Sequence, residues 1–239
     1  MNLKMVLFDL DGTLLPMDQE AFTKYYFGLL AKKLAPHGYQ PEQLVDCIWK
    51  GTAAMVKNTG EKTNEAVFWD AFSALLGDDV RKDEPIFDDF YRTEFQGAKA
   101  ACGFHPKAAE VVAHVRALGL RTALATNPIF PAIATEKRME WAGLNKADFD
   151  FYTTYENSCH SKPNPAYYQD ILDKLNLRAE ECLMVGNDVK EDMVAKKLGM
   201  KVFLLTDCLI NKDNADISVY PHGGFDELNA YIDSLVQEA

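Results

Sequence analysis

The chain has no apolar run long enough to span a bilayer, no Cys-x-x-Cys pair, no internal repeat and no low-complexity stretch. The first absence leaves no candidate for a membrane-spanning helix. The second bears on the five cysteines, Cys47, Cys102, Cys159, Cys182 and Cys208, which are odd in number and widely scattered. Neither a disulfide framework nor a zinc site is indicated, and reduced, mostly buried thiols are expected. Basic residues are also scarce: 25 Lys and Arg stand against 36 Asp and Glu, a net charge of −11. That balance disfavours nucleic acid and anionic membranes as partners, and a small anionic substrate would need locally placed positive charge. The N-terminus lacks the basic-then-apolar pattern of a signal peptide because Asp9 and Asp11 interrupt it, so a cytoplasmic location is expected.

What is present is 239 residues, 48% of them hydrophobic, enough for one large domain or two smaller ones. The organising stretch is Met5-Val6-Leu7-Phe8-Asp9-Leu10-Asp11-Gly12-Thr13. Four apolar residues read as a short, fully buried strand that runs directly into two carboxylates and a glycine. Ligands of open α/β sheets bind outside the carboxyl ends of strands, where these acids stand. Taken alone, Asp-x-Asp describes a solvated turn equally well.

The next strand-like run, Thr122 to Ala125, comes about 110 residues later, far more than a crossover between parallel strands requires. The insert reads as helices over Ala21 to Leu34, Pro41 to Met55, Thr63 to Leu76 and Pro85 to Phe95. Its aromatics recur at helical spacing and are expected to form a bundle core. From Gly103 onward helix and strand alternate, with helices at Pro106 to Leu118, Pro131 to Ala142, from Pro165, Glu191 to Leu198 and Phe225 to Val236. Strands are expected at Thr122 to Ala125, Phe149 to Thr153, Cys182 to Val185, Val202 to Leu205 and Ile217 to Val219. The fold class is therefore α/β: a doubly wound parallel sheet carrying an inserted helical domain, with residues 1–15 and 101–239 as core and 16–100 as insert.

Each strand hands over to polar groups: Asp9 and Asp11, then Thr126-Asn127, then Gly186-Asn187-Asp188. A parallel sheet brings those ends to one crevice, and Lys162, in the loop before the Pro165 helix, is placed to reach it. Individually, Thr126 is an ordinary strand-end hydroxyl, Lys162 a loop lysine, and Asp188 with Asp192 a helix N-terminal charge pair.

Jointly and in this order they resemble the haloacid dehalogenase superfamily of phosphohydrolases and phosphotransferases. Asp-Leu-Asp-Gly-Thr resembles its first motif, Thr126-Asn127 its second, Lys162-Pro163 its third, and the Gly186 to Asp192 stretch its fourth. The insert resembles the α-helical cap of phosphoglycolate phosphatase-like and nucleotidase-like members. The resemblance covers nearly the whole chain and implies a Rossmann-like core. It further implies Asp9 as nucleophile, Asp11 as acid and base, and Lys162 bridging Asp9 and phosphate. Thr126, Asn127 and the backbone near Gly12 would hold phosphate oxygens. The metal set implied is Asp9, the Asp11 carbonyl and Asp188, with Asp192 behind or alternating, and Mg²⁺ suits such hard oxygen donors. Dehalogenases of this superfamily lack the second aspartate and its transport ATPases carry threonine there, so Asp11 points to phosphate-ester chemistry.

The expected function is thus Mg²⁺-dependent hydrolysis of a small phosphorylated metabolite through an aspartyl-phosphate. A sugar-phosphate mutase and a non-catalytic phosphate-binding module are the alternatives. Lys50 and Lys57 share a face of one expected helix and could meet a second anionic group, although exposed lysines on a bundle helix are the commoner case. A monomer or a homodimer is expected.

Overall fold

The computed structural model describes residues 3–237; the outer ends of the expected core segments, residues 1–2 and 238–239, lie outside them. Six parallel strands form one sheet: β1 (Met5–Phe8), β2 (Arg121–Leu124), β3 (Phe151–Tyr152), β4 (Cys182–Gly186), β5 (Lys201–Leu205) and β6 (His222–Gly223). Their order is β3-β2-β1-β4-β5-β6. Winding proceeds outward from β1 to β3, then returns to β4 beside β1 and proceeds the other way, so the order reverses between β1 and β4. Met5 pairs with Arg121 on one side and Cys182 on the other, which makes β1 the central strand. A strand buried on both faces must be apolar throughout, and all four residues of β1 are fully buried.

Alternate residues feed two cores. Val6, Phe8, Leu183 and Val185 face one side with α5 (Pro106–Ala117), α6 (Ala132–Trp141) and α8 (Phe225–Gln237). Met5, Leu7, Cys182 and Met184 face the other with α7 (Pro165–Leu175) and the 3-10 segment Met193–Leu198.

The insert is helical: α1 (Gln19–Leu34), α2 (Pro41–Val56), α3 (Asn64–Leu76) and α4 (Glu84–Arg92), followed by a 3-10 segment Glu94–Ala101. Side-chain oxygens of Asp18 and Thr63 accept the Ala21 and Ala66 amides and so cap α1 and α3. The chain leaves and rejoins the core at one place, where Met17 bridges Cys102 and the Gly103 amide donates to the Pro16 carbonyl at 2.7 Å. The helices have no core of their own. Phe22, Phe72, Phe90 and Phe95 belong to the same buried cluster as Val6, Phe8 and Trp141. Asn64, fully buried, bonds the Pro128 carbonyl and the Ser161 hydroxyl and thereby joins α3 to two loops of the sheet.

Three expected elements differ. Ile217–Val219 is a 3-10 turn rather than a strand, because the Asp216 carboxylate accepts the Ser218 amide; the edge strand is His222–Gly223, which has no apolar pattern. Glu191 to Leu198 forms a 3-10 segment from Met193, and the helix expected to reach Phe95 stops at Arg92. The five thiols are free, Cys47 and Cys182 buried and three half-buried. No helix among the described residues is long and apolar enough to cross a membrane.

Phe95 is fully buried where the insert meets the sheet, edge-on to Phe22 and 5.1 Å from the Trp141 ring. Phe95→Ala is expected to cost about 3–5 kcal/mol, measured as a lower urea midpoint. Far-UV circular dichroism and tryptophan fluorescence should shift together, because the core is continuous.

Candidate active site

Asp9 follows β1 immediately, and its amide donates to the Val185 carbonyl at 2.9 Å, which extends the ladder to the acid itself. One carboxylate oxygen, Oδ1, accepts from Lys162 Nζ at 2.8 Å, while the Thr13 hydroxyl lies 3.0 Å from Oδ2 and 3.1 Å from Asn187 Oδ1. Lys162 is 1% exposed and also donates to Asp192 Oδ1 at 2.6 Å. Burial alone would pull this ammonium down; the Asp192 and Asp9 carboxylates overcome it and hold Lys162 well above its ordinary value.

The loop after β4 closes around the same group. Asp192 Oδ2 accepts the Asp188 amide at 2.9 Å, and a Cβ on Gly186 would fall 2.1 Å from that oxygen. Gly12, at φ +86°, is equally constrained, since a side chain there would meet Asn187 at 2.3 Å. Asp188 Oδ1 accepts the Lys190 and Glu191 amides at 2.7 and 2.9 Å. Asn127 Nδ2 donates to Glu191 at 3.1 Å, and Asn127 Oδ1 is buried without a partner among the described residues. Burial pushes Glu191 up to about 7, with Lys162 opposing and Asp192 and Asp188 reinforcing. Thr126 is buried, its carbonyl accepting from Thr153 at 2.6 Å and Tyr167 at 2.8 Å.

Asp11 has a partner with no motif to announce it. Arg138, fully buried on α6, donates to Asp11 Oδ2, and its guanidinium lies 4.6 Å from the centre of the Phe130 ring. Asp11 Oδ1 is buried without a partner among the described residues. Burial raises the Asp11 pKa, Arg138 opposes the rise and Asp9 adds to it. The signal in the sequence is positional: Ala134, Arg138 and Trp141 share the inward face of α6, and an arginine on an apolar face needs an acid.

Asp9, Asp11, Thr126, Asn127, Asp188 and Asp192 therefore meet at one cavity of about 370 Å³. Lys162 stands behind Asp9. Two expected contributors do not arrive: Lys50 is exposed and paired with Asp46 at 2.6 Å, and Lys57 caps α2 and is likewise exposed. Their shared helical face turns outward because Leu44, Cys47, Ile48, Gly51 and Met55 take the inner one. Asp192 gives one oxygen to Lys162 and the other to the Asp188 amide. Among the described residues no three His, Cys, Asp or Glu side chains converge as a chelating group.

A parallel sheet wound in this order, with acids and a buried lysine at the switch point, defines the ligand site of a doubly wound α/β protein at the carboxyl ends of its strands. A family model for haloacid dehalogenase-like hydrolases matches residues 3–206, and the chain belongs to that family. It is similar to a phosphoglycolate phosphatase of Vibrio parahaemolyticus, 27% identical over 206 residues that span 86% of this chain and 84% of that protein. Its fold is similar to that of a 2-haloacid dehalogenase from Pseudomonas syringae, with TM-score 0.62, 18% identity and coverage of 97% and 99%. A HAD phosphatase from Thermococcus onnurineus also matches, with TM-score 0.58, 18% identity and coverage of 96% and 98%.

Two outcomes are expected from these charges. Arg138→Leu strands the Asp11 carboxylate and should cost roughly 3–5 kcal/mol at neutral pH; adding Asp11→Asn should recover much of it in a double-mutant cycle of denaturant unfolding. Glu191 binds its proton more tightly folded than unfolded, so its favourable contribution is complete below pH 4.5 and is lost as pH rises to about 7. In EDTA, the melting temperature of Glu191→Gln should therefore gain on wild type between pH 5 and 8, whereas a constant difference would contradict the assignment.

Proposed function

We propose that this hydrolase is a Mg²⁺-dependent phosphomonoesterase that works through an aspartyl-phosphate on Asp9, with the insert 16–100 serving as a cap over the site. The observation that carries the reading is Asp9 held between Lys162 and Thr13 at the end of the central strand, with Asp11 in the same cavity. Vibrio's phosphoglycolate phosphatase supports phosphate esters as the substrate class.

Asp9 would attack phosphorus with one carboxylate oxygen while Lys162 stays protonated beside it and offsets charge on the transferring group. As the ester bond breaks, the Asp11 carboxyl would give its proton to the leaving alkoxide. In the second step Asp11 would take a proton from water, which attacks the same phosphorus and returns Asp9 as carboxylate. Burial favours this role by keeping a proton on Asp11 to higher pH than an exposed aspartate would.

The donor set fits Mg²⁺, which is usually held by one or two carboxylates with water and substrate phosphate rather than a full protein cage. Asp9 and Asp188 would hold it, and the surplus of acids over Lys162 and Arg138 leaves a positive charge to be supplied. When bound, the ion would neutralise charge on the phosphoryl oxygens. Asp192 would act through Lys162 and the Asp188 backbone.

The test is release of inorganic phosphate from p-nitrophenyl phosphate, lost in EDTA and restored by Mg²⁺. Asp9→Asn should lower kcat by more than roughly a thousandfold while the chain stays folded by circular dichroism, at a lower melting temperature because Lys162 loses one of its two carboxylates. Acid-quenched wild type should carry phosphate on Asp9. Activity of that variant within tenfold of wild type would remove Asp9 as nucleophile.

A further inference from the structure

The cavity has two chemically distinct halves. Its floor holds the acids at the strand ends; its roof is built from α1 to α4 and the loop after β2, and is aromatic, with Tyr26, Trp49, Phe68, Trp69, Tyr91 and Phe130 among the lining residues. The Tyr26 and Tyr91 hydroxyls bond to each other at 2.9 Å, which leaves their rings as the surface offered to a ligand. Every charged residue that lines the cavity is an acid, and no Lys, Arg or His among the described residues lines it. The nearby cations are paired outside the cavity surface: Lys162 with Asp9 and Asp192, Arg138 with Asp11, and Arg81, over the Trp69 ring, with Glu84. The lysines of α2 point outside.

We propose that the alcohol part of the substrate is uncharged and apolar, of aryl or aryl-alkyl size, and that phosphates carrying a second anionic group are rejected. This rests on the phosphomonoesterase reading and narrows its substrate class. A carboxylate in the roof would lose its hydration and meet only neutral donors, such as those of Gln19, Thr52 and Tyr155, with no lining cation among the described residues to balance its charge. An aromatic group there exchanges water for ring faces and edges, which stack favourably. The volume, about 370 Å³, lies within the roughly 300–1,000 Å³ of small-molecule sites and exceeds what a phosphate with a two-carbon tail fills. Of the six lining acids only Asp88 belongs to the roof; it is exposed and paired with Arg92 at 3.7 Å, so the roof is not an anionic cage for a quaternary ammonium.

The test compares kcat/KM, with Mg²⁺ present, for ethyl phosphate, 2-phenylethyl phosphate, 2-phosphoglycolate and phosphocholine. Ethyl and 2-phenylethyl alcohols are leaving groups of similar basicity, so a difference between them reports on the roof and not on bond breaking. The 2-phenylethyl ester should exceed ethyl phosphate by about 30-fold or more, and 2-phosphoglycolate should fall below ethyl phosphate. Thr52→Lys, which introduces a cation into the roof, should shift the ratio of 2-phosphoglycolate to 2-phenylethyl phosphate upward by at least about tenfold. Turnover of p-nitrophenyl phosphate without a preference for 2-phenylethyl over ethyl, or with 2-phosphoglycolate or phosphocholine preferred, overturns this inference alone. No phosphate from any of the five esters overturns the phosphomonoesterase reading and this inference with it.

Discussion

A lysine ammonium buried to 1% exposure is the constraint on which the site depends. Such a charge is tolerated only if it is fully paired, and breaking a buried pair costs about 3–5 kcal/mol. Lys162 is paired twice, with Asp9 and Asp192, and each partner then dictates further structure. Asp192 approaches only because Gly186 has no side chain, and its second oxygen takes the Asp188 amide, which sets the turn after β4. Asp9 is held from its other side by Thr13, whose neighbour Asn187 comes from that same turn and demands glycine at position 12. One buried cation thus couples the first strand, the fourth strand and the loop before α7.

Arg138 repeats the device at Asp11, and the two together explain the character of the cavity surface. Of the chain's 25 Lys and Arg, the two paired with acids of the site, Lys162 and Arg138, stand behind those acids rather than in front. The ligand-facing surface is left acidic below and aromatic above. This division supports a cation and a phosphoryl group on the floor and an apolar group in the roof.

The roof is not a detachable lid in its packing. Its aromatics continue into the sheet core through Phe95 and Trp141, and Asn64 ties α3 to loops of the sheet. The helices of the insert gain burial from the sheet by sharing its core. The same sharing fixes the roof over the strand ends, so the cavity is a consequence of how the insert obtains its stability.

Much of this was legible in the chain itself. The apolar run at Met5 to Phe8, the alternation after Gly103 and the long interruption between them determined a parallel α/β sheet with a helical insert, because periodicity and length reflect burial directly. The order of Asp9, Asp11, Thr126, Lys162 and Asp188 determined which residues would meet, since parallel strands bring their carboxyl ends to one edge. The edge strand His222–Gly223 was illegible, being too short and polar for any pattern, and the apolar Ile217–Val219 beside it proved to be a turn set by Asp216. Only the tertiary structure decided that Arg138 belongs to Asp11, that Asp192 serves Lys162, and that Lys50 and Lys57 face away. Those outcomes depend on which face of a helix is covered and on which charge finds a partner when water is removed, and neither is a property of local sequence.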